Sequence, residues 1–328
     1  MLFRSVPQDF GVSASVGDMA ADGNCYFVIE ADEYDTAFFD KRSKFVHYHS
    51  NSLIINNLEF DHADIFDDLA AIQRQFHHCV RTIPSSGTLI FPADDLAVDA
   101  VIEQGCWSQQ QCFSTADAPW QYRLLAEDGS QFEVIHIDSE QRGLVSWQQS
   151  GLHNVKNAVA AVVAAYQVGV PVKQACDALS EYVGVKRRME TIYSSQNLWI
   201  YDDFAHHPTA IKTTIEGLRA KVGDAQIMAV IEPRSATMKL GVHQRDLGAS
   251  VAGADQVLWY QNLGIDWDLQ RVTKTSAVPT SVSKDIHGLI GEVIQSINAN
   301  RESGIPMHIV IMSNGGFEGF HQLLLEKL

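Results

Sequence analysis

Short apolar runs alternate with helical apolar patterns over the second half of the chain. Ile211, Ile215, Leu218 and Val222, for example, form one apolar stripe of a helix. The pattern predicts strands at 198–201, 227–231, 256–260 and 308–312, and helices at 208–221, about 243–252, 284–298 and 317–327. Strands that alternate with helices form right-handed crossovers. The second half is therefore predicted to be an α/β domain with a largely parallel sheet covered on both faces.

The first half of the chain is less regular, and residues 1–24 show no clear period. The pattern predicts buried strands at 25–29, 44–48, 53–55 and 88–91, and helices capped by Asp64 and starting near Asp94. From Trp120 to Trp147 the period changes to two, which predicts a small antiparallel insert. Two helices are predicted from Gly151 to about Val168 and from Pro171 to about Gly184. The pattern changes at 185–190, the predicted domain boundary.

Composition and charge narrow the possible functions. With 328 residues and 46% hydrophobic content, the chain can form two cores and thus two domains. A net charge of -16 argues against binding nucleic acid by phosphate neutralisation. The five cysteines are scattered without a CxxC pair, so neither a disulfide framework nor a zinc site is indicated. Without a membrane-spanning run or a leader pattern, we expect a cytoplasmic protein with no membrane partner.

Four titratable side chains follow the strand predicted at 198–201, namely Asp202, Asp203, His206 and His207. In open α/β sheets ligands bind at the carboxyl ends of the strands, so chemistry is predicted here. The alternative is that His207 caps the next helix and the two aspartates form a solvated turn.

Cationic and glycine-rich segments follow other strands or the predicted boundary. Arg234 and Ser235 belong to a loop that suits a substrate carboxylate or phosphate. Arg187 and Arg188 could meet a phosphate as the domains close, or be plain surface arginines. Gly315-Gly316 could let backbone amides approach an anion, or form a tight turn.

Glu30 and His62 each follow a predicted strand of the first half. If these strands are parallel neighbours, both side chains lie at one sheet edge. A carboxylate and an imidazole, completed by water and phosphate oxygens, form a reasonable Mg²⁺ shell. The alternative is a solvated acidic turn and an ordinary loop histidine.

His153, Asn154 and Asn157 lie at the start of a predicted helix, with the two amides on one face. An amide offers both a donor and an acceptor to an adenine edge, and His153 could stack on the ring. The alternative is that Asn154 is simply the helix N-cap. No GxxxxGK[ST] segment occurs in the 328 residues, so the usual phosphate-binding loop is absent from them.

Taken together, these segments resemble the Mur ligases, the ATP-dependent amide-forming enzymes of peptidoglycan assembly. The motifs that carry the resemblance share their order with the family and lie at 30–35, 57–62, 153–157, 187–190, 202–208, 232–235 and 313–317. The resemblance implies an α/β protein with a partial P-loop-type central ATPase domain at 1–188 and a C-terminal Rossmann-like domain at 189–328. It also implies that an N-terminal domain and the P-loop lie outside these residues, and a second polypeptide that carries them is one implied partner.

The resemblance also implies roles for single residues. Glu30 and His62 become Mg²⁺ ligands, and His153, Asn154 and Asn157 contact adenine. Arg188 and Asp203 contact the nucleotide across the cleft. His206, His207, Arg234 and Ser235 face the substrate, and the residues expected to act in catalysis are Glu30, His62, Arg188 and His206. One departure concerns the carbamylated lysine of several relatives, because residues 45–155 contain no lysine.

Within the family, the stretch 38–44 and the Glu232–Ser235 motif favour a member that adds a tripeptide. The implied reaction joins UDP-N-acetylmuramate to L-alanyl-γ-D-glutamyl-meso-diaminopimelate in peptidoglycan recycling, with ATP and Mg²⁺ and through an acyl phosphate. Three alternatives stay open. The first is ligation of L-alanine, and the second is an inactive fragment or split-enzyme half that only binds nucleotide or peptide. The third is a zinc-dependent hydrolase built on His62, His206 and His207.

Overall fold

The structure is a computed structural model that describes residues 14–16, 23–31 and 33–328. Most of the segment predicted to be irregular, and Asp32, lie outside the described residues. The chain divides into two compact units, with the division between Gly184 and Val185. The α/β class is confirmed. The division lies a few residues before the boundary predicted after Arg188.

Among its described residues, the first unit contains ten strands and four α-helices. Its strands are β1 Ala14–Val16, β2 Phe27–Ile29, β3 Asp35–Ala37, β4 Asp40–Ser43, β5 Ser52–Ile54, β6 Thr88–Pro92, β7 Gln109–Phe113, β8 Trp120–Leu124, β9 Gln131–His136 and β10 Gln141–Ser146. Its helices are α1 Leu69–Val80, α2 Leu96–Ile102, α3 Leu152–Gln167 and α4 Val172–Ser180.

Six of these strands form one mixed sheet in the order β10-β9-β8-β7-β6-β5. Neighbours from β5 to β8 are parallel, and β8, β9 and β10 are antiparallel. The antiparallel strands predicted between Trp120 and Trp147 are thus present. They continue the main sheet, however, and do not form a separate insert, because β8 pairs with β7 at Phe113. Trp120 and Phe132 are fully buried beneath α3.

Three predictions for the first unit are wrong. Strand β2 is not buried, since Phe27 is 60% exposed and the strand pairs only with β1 in a small antiparallel ribbon. Lys44–His47 is a 3-10 helix, because the adjacent Phe45 and Val46 are both buried, which a strand with one buried face does not allow. Helix α1 starts after Asp68, whose carboxylate accepts a hydrogen bond from the Ala71 amide at 2.7 Å.

The second unit contains six strands and six helices. Its strands are β11 Glu190–Ser195, β12 Leu198–Asp203, β13 Gln226–Ile231, β14 Gln256–Tyr260, β15 Thr280–Ser283 and β16 Met307–Met312. Its helices are α5 Pro208–Val222, α6 Ala236–Lys239, α7 Gln244–Ser250, α8 Gln270–Thr273, α9 Ile286–Ser303 and α10 Phe320–Leu325, with a 3-10 turn at Phe317–Gly319.

The second sheet has the order β11-β12-β16-β13-β14-β15. All pairs are parallel except β11 with β12. The four predicted strands are confirmed, and their side chains fill cores on both faces: along β16, Val310 and Met312 pack with Ile211 of α5, whereas Ile309 and Ile311 pack with the α9 side. The carboxyl ends of β12, β16, β13 and β14 consequently meet at one edge, which we call the carboxyl edge of the second sheet.

The cysteines and the helices bear on whether the chain has disulfide bonds or membrane-spanning segments. All five cysteines are free. Among the residues that the structure describes, the helices lack the length and apolar character needed to cross a bilayer.

Candidate functional site

Asp203 ends strand β12 and is 3% exposed. Its Oδ2 accepts a hydrogen bond from the Met189 amide and its Oδ1 one from the Ala205 amide, both at 2.8 Å. Burial raises the pKa of the Asp203 carboxyl, against the opposing effects of Arg188 and of the two amides. This carboxyl group therefore holds the backbone on both sides of the strand end.

Asp202 is also buried, so the alternative of a solvated turn is wrong. Its Oδ2 lies 3.1 Å from Nε of Arg187 and its Oδ1 lies 3.1 Å from Nε2 of His321. Burial alone would raise its pKa, but His321 and Arg187 outweigh burial and lower the pKa of the Asp202 carboxyl. Arg187 Nη2 also donates to the carbonyl oxygens of Ser313 at 2.6 Å and Gly315 at 3.0 Å. Arg187 is thus a structural link between two strand ends.

The turn that carries the two arginines has an unusual backbone. Arg187 and Met189 have φ angles of 57° and 49°, in the left-handed region that costs a non-glycine residue roughly 1–3 kcal/mol. Arg187 is fixed by bonds from its amide to the Glu190 carboxylate and from the Phe204 amide to its carbonyl, both at 2.8 Å. The guanidinium carbons of Arg187 and Arg188 lie 5.3 and 5.5 Å from the Phe204 ring centre. Both arginines therefore belong to the second unit.

His206 and His207 follow at the start of α5. His206 is buried, with Nδ1 2.9 Å from the Phe204 carbonyl oxygen and its ring edge-on to the Phe204 ring. His207 is the N-cap, since its Nδ1 accepts from the Thr209 amide at 3.3 Å. Its ring also packs edge-on against His243 at 4.5 Å. The capping interpretation of His207 is confirmed, and its predicted substrate contact stays a prediction.

Arg234 follows β13 and is exposed, and it forms no ion pair or hydrogen bond with any residue that the structure describes. Its side chain lies against Gly315, where an added Cβ would come within 2.6 Å of Arg234 Cδ. The Gly315 amide donates to Ser313 Oγ at 3.0 Å, as expected for the tight-turn interpretation. Ser235 is the N-cap of α6, with its Oγ 3.3 Å from the Met238 amide.

In the first unit, His62 contacts Glu33, which the sequence did not single out as a site residue. The Nε2 atom of His62 lies 2.7 Å from Glu33 Oε1, and its Nδ1 lies 2.8 Å from the Tyr34 hydroxyl. Burial would raise the pKa of Glu33, but the hydrogen bond and charge of His62 contribute to lowering it. The prediction that Glu30 and His62 follow parallel neighbours is wrong, because β2 and β5 belong to different sheets.

The geometry around His62 fits a magnesium site only when one partner of the ring moves away, because both ring nitrogens already contact protein groups, Nε2 at Glu33 and Nδ1 at Tyr34. His62 has a φ of 55°, a strained conformation of the kind that clusters at functional sites. Within the described part of the chain, no three His, Cys, Asp or Glu side chains are grouped to hold a metal. Mg²⁺ needs only one or two carboxylate or similar ligands because it keeps water and substrate phosphate oxygens. The zinc hydrolase alternative, which requires three protein ligands, gains no support.

The amides of α3 tie the helix to neighbouring loops. Asn154 is inside the first turn, and its Nδ2 donates to the Ser150 carbonyl at 2.8 Å, so the N-cap interpretation is wrong, since Gly151 is the N-cap. The exposed Asn157 accepts from Asn56 Nδ2 at 2.9 Å. Asn56 follows β5, so the amide pair lies at the carboxyl edge of the first sheet.

The same turn of α3 carries two more polar side chains. Lys156 forms an ion pair with Asp94, which follows β6, at 2.6 Å. His153 is half-buried in the first turn. The sequence interpretation did not include Lys156, Asn56 or Asp94, because their proximity depends on how α3 crosses the sheet.

Comparisons with known proteins cover both units. The family described as "Mur ligase middle domain" matches residues 3–165, and "Mur ligase, glutamate ligase domain" matches residues 187–312. The chain is 44% identical over 328 residues to the "UDP-N-acetylmuramate--L-alanyl-gamma-D-glutamyl-meso-2,6-diaminoheptandioate ligase" of Haemophilus influenzae, covering 100% of this chain and 70% of the relative. It is 46% identical over 324 residues to the protein of the same name from Escherichia coli, covering 98% and 68%.

Solved structures are also similar to this chain over most of its length. A murein peptide ligase from Psychrobacter arcticus has 47% identity and a TM-score of 0.66, over 91% of this chain and 62% of that one. MurF from Acinetobacter baumannii has 18% identity and a TM-score of 0.72, over 86% and 61%, a likeness of fold alone. The chain thus spans about two thirds of the length of these proteins.

Proposed function

Because this chain belongs to the Mur ligase family, we propose that it takes part in the ATP-dependent joining of UDP-N-acetylmuramate to L-alanyl-γ-D-glutamyl-meso-diaminopimelate. The observation that carries the proposal is the 44% identity, over all 328 residues, to a relative named for this reaction. Relatives named for adding L-alanine reach 32% over 247 residues, which makes that reaction the second candidate.

The first unit would bind the nucleotide at the carboxyl edge of its sheet. Asn154 and Asn157, with His153, offer amide and imidazole groups that suit an adenine ring. Asn157 is exposed and its carbonyl oxygen is already fixed by Asn56, which leaves the amide nitrogen oriented for a ligand acceptor.

The magnesium site of the proposal contains His62, with Glu30 as the ligand implied by the family resemblance. Glu33 is more buried than His62 and holds its Nε2, so we assign it the role of orienting the imidazole. The Tyr34 hydroxyl, now 2.8 Å from Nδ1, would then have to leave this nitrogen for His62 to bind the metal. When bound, Mg²⁺ neutralises phosphate charge during phosphoryl transfer.

The second unit would bind the incoming peptide and the phosphates at the carboxyl edge of its sheet. Arg234 provides an unpaired cation for a carboxylate or phosphate. Ser235 and His207 are helix caps at the same edge of the sheet. Arg188 would contact the nucleotide phosphates, with Phe204 orienting its guanidinium group. Asp203, whose oxygens hold two backbone amides, would keep this turn in place.

The reaction itself would use these groups for orientation and charge. The lactyl carboxylate takes the γ-phosphoryl group, the L-alanine amine attacks the acyl phosphate, and phosphate leaves. Arg188 and Arg234 would stabilise negative charge that develops on the phosphoryl and acyl oxygens. His206 is buried beside Phe204 and is proposed to face the substrate amine.

A binding module is the other candidate, and it rests on one observation. The 328 residues contain no GxxxxGK[ST] segment, so these residues by themselves lack the usual phosphate-binding loop. Calorimetry with the tripeptide and with Mg-ATP, separately, would then show binding while the chain alone shows no ligation.

A chimera tests the proposed reaction directly. The aligned residues of the Escherichia coli relative are replaced by this chain, and the product is assayed with the tripeptide and with L-alanine as competing acceptors. We expect ligation of the tripeptide in preference to L-alanine. Preference for L-alanine would favour the second candidate, and tripeptide binding without ligation would favour the binding module.

A further inference from the structure

Glu232 is a fully buried carboxyl group without a cation. It lies at the end of β13, is 1% exposed, and forms no ion pair with the residues that the structure describes. Burying such a group is costly unless hydrogen bonds compensate. Because β13 lies between β16 and β14 in the sheet, the Glu232 side chain can reach the loops that follow both neighbouring strands.

Both oxygens of Glu232 accept hydrogen bonds from neighbouring strand ends. Ser313 Oγ, after β16, donates to Oε2 at 2.6 Å, and Asn262 Nδ2, after β14, donates to Oε1 at 3.1 Å. Asn262 in turn accepts from the Gly264 amide at 2.9 Å. One side chain therefore fixes the loops after three adjacent strands.

The Ser313 turn forms the surface on which Arg234 lies. Ser313 Oγ accepts from the Gly315 amide at 3.0 Å, and Arg187 Nη2 holds the carbonyl oxygens of Ser313 and Gly315. A Cβ at Gly315 would come within 2.6 Å of Arg234 Cδ and 2.7 Å of its Cζ. The place of the guanidinium group thus depends on the exact position of this turn.

We infer that Glu232 is a positioning residue that fixes the position of the Arg234 guanidinium group through Ser313 and Gly315. It cannot contact a ligand itself because it is buried, and it acts on binding only by fixing the turn beside Arg234. The inference rests on the proposed role of Arg234 in binding an anionic group of the peptide. Glu232 thereby determines how strongly the site prefers a free carboxylate.

Three variants each alter one contact on the path from Glu232 to Arg234. Glu232→Gln removes one acceptor, Ser313→Ala removes the link, and Gly315→Ala displaces Arg234 directly. Gly316→Ala is the matched control, since a Cβ there meets nothing within 4 Å. Glu302→Gln is a control at an exposed glutamate.

Calorimetry on the 328-residue chain measures affinity for L-alanyl-γ-D-glutamyl-meso-diaminopimelate and for the same peptide with amidated carboxyl groups. Arg234→Ala should weaken binding of the free peptide by roughly 10-fold or more, the usual worth of a charge-assisted hydrogen bond. Glu232→Gln and Gly315→Ala should each reduce the preference for the free carboxylate, with the two controls unchanged. A change confined to folding would alter the binding stoichiometry and leave this preference as it was.

A double-mutant cycle shows whether Glu232 acts on peptide binding through Arg234. If Glu232 acts through Arg234, Glu232→Gln has no further effect in the Arg234→Ala background. An equal effect in both backgrounds would overturn the inference and leave the role of Arg234 standing. If Arg234→Ala leaves peptide affinity unchanged, the substrate role of Arg234 fails, and the inference with it. Should Glu232→Gln not fold, Ser313→Ala and Gly315→Ala are put through the same cycle.

Discussion

Glu33 Oε1 lies 2.7 Å from Nε2 of His62, and both side chains are largely buried. The carboxylate therefore fixes one imidazole nitrogen while the Tyr34 hydroxyl meets the other. A histidine that binds a metal uses one nitrogen for the metal, and the partner of its other nitrogen sets the ring's orientation and basicity. We expect Glu33 to be that partner and Tyr34 to move when Mg²⁺ binds.

Glu33→Gln should lower the affinity for Mg-ATP by roughly 10-fold or more, the usual effect of losing an outer partner of a metal ligand. Binding of ATP in the presence of a chelator should not change. Titration calorimetry with and without Mg²⁺ makes the comparison, and Glu127→Gln, at an exposed glutamate of the same unit, is the control. Equal losses with and without Mg²⁺ would show that Glu33 supports the fold and not the metal site.

Arg187→Lys and Arg188→Lys should have different effects although the two arginines are adjacent. Arg187 donates to Asp202, Ser313 and Gly315, so its loss should destabilise the second unit by roughly 1–3 kcal/mol. Arg188→Lys keeps the positive charge that acts on Asp203 and should chiefly weaken nucleotide binding. Chemical unfolding and ATP titration of both variants test this, and a reversed order of effects would contradict the assignment.

Asp203→Ala should cost roughly 2–4 kcal/mol of unfolding free energy, because two backbone amides lose a charged acceptor in a buried place. Asp224→Ala, at an exposed position, should change the free energy little. Urea unfolding at pH 7 provides the measurement. A small effect of Asp203→Ala would show that the Met189 and Ala205 turns are held by other contacts.

His308 should make stability depend on pH. Its ring stacks on Trp199 at 4.7 Å and its Nδ1 lies 3.0 Å from the Tyr201 hydroxyl. Burial, with contributions from Lys221 and Arg219, lowers the pKa of His308 from 6.5 to about 4. The unfolded chain thus binds the proton more readily, so the stabilising effect of the neutral ring is complete above pH 6.5 and is lost as the pH falls toward 4.

His308→Gln keeps a hydrogen-bonding side chain and removes the titration. The difference in unfolding free energy between pH 7 and pH 4 should therefore shrink in this variant by up to roughly 3 kcal/mol. His287→Gln, at an exposed histidine, should behave as the unchanged protein. Parallel pH profiles for His308→Gln and the unchanged protein would contradict the expectation.

The sequence predicts the second sheet well where strands are buried on both faces. The runs at 227–231 and 309–312 are continuous apolar segments, as expected for strands that are buried on both faces of a parallel sheet. Strands β11 and β15 lack such runs, as Thr280–Ser283 has one apolar residue, so periodicity does not reveal them. In the first unit, 44–48 is apolar enough for a strand, but packing of both Phe45 and Val46 selects a 3-10 turn.

The sequence predicts which kinds of residue form the candidate site, but it does not predict which of them contact each other. Polar residues after strands mark the carboxyl edge, and Asp203, Arg234 and Asn157 all lie at such edges. Which carboxylate contacts His62 depends on the path of the chain between β2 and β5, and the sequence pattern singled out Glu30 only because it follows a predicted strand. Likewise, neighbouring arginines look equivalent in the sequence, and only the positive φ angles of the turn separate Arg187 from Arg188.

The two outer strands of the second sheet bear on how the protein behaves at high concentration. β15 is only four residues long, and β11 has an irregular register between Thr191 and Tyr193. Short or bulged edge strands are poor templates for pairing with a strand of another molecule. We therefore expect the sheet to stop growing at six strands, so that crowding in solution does not convert it into fibrous aggregates.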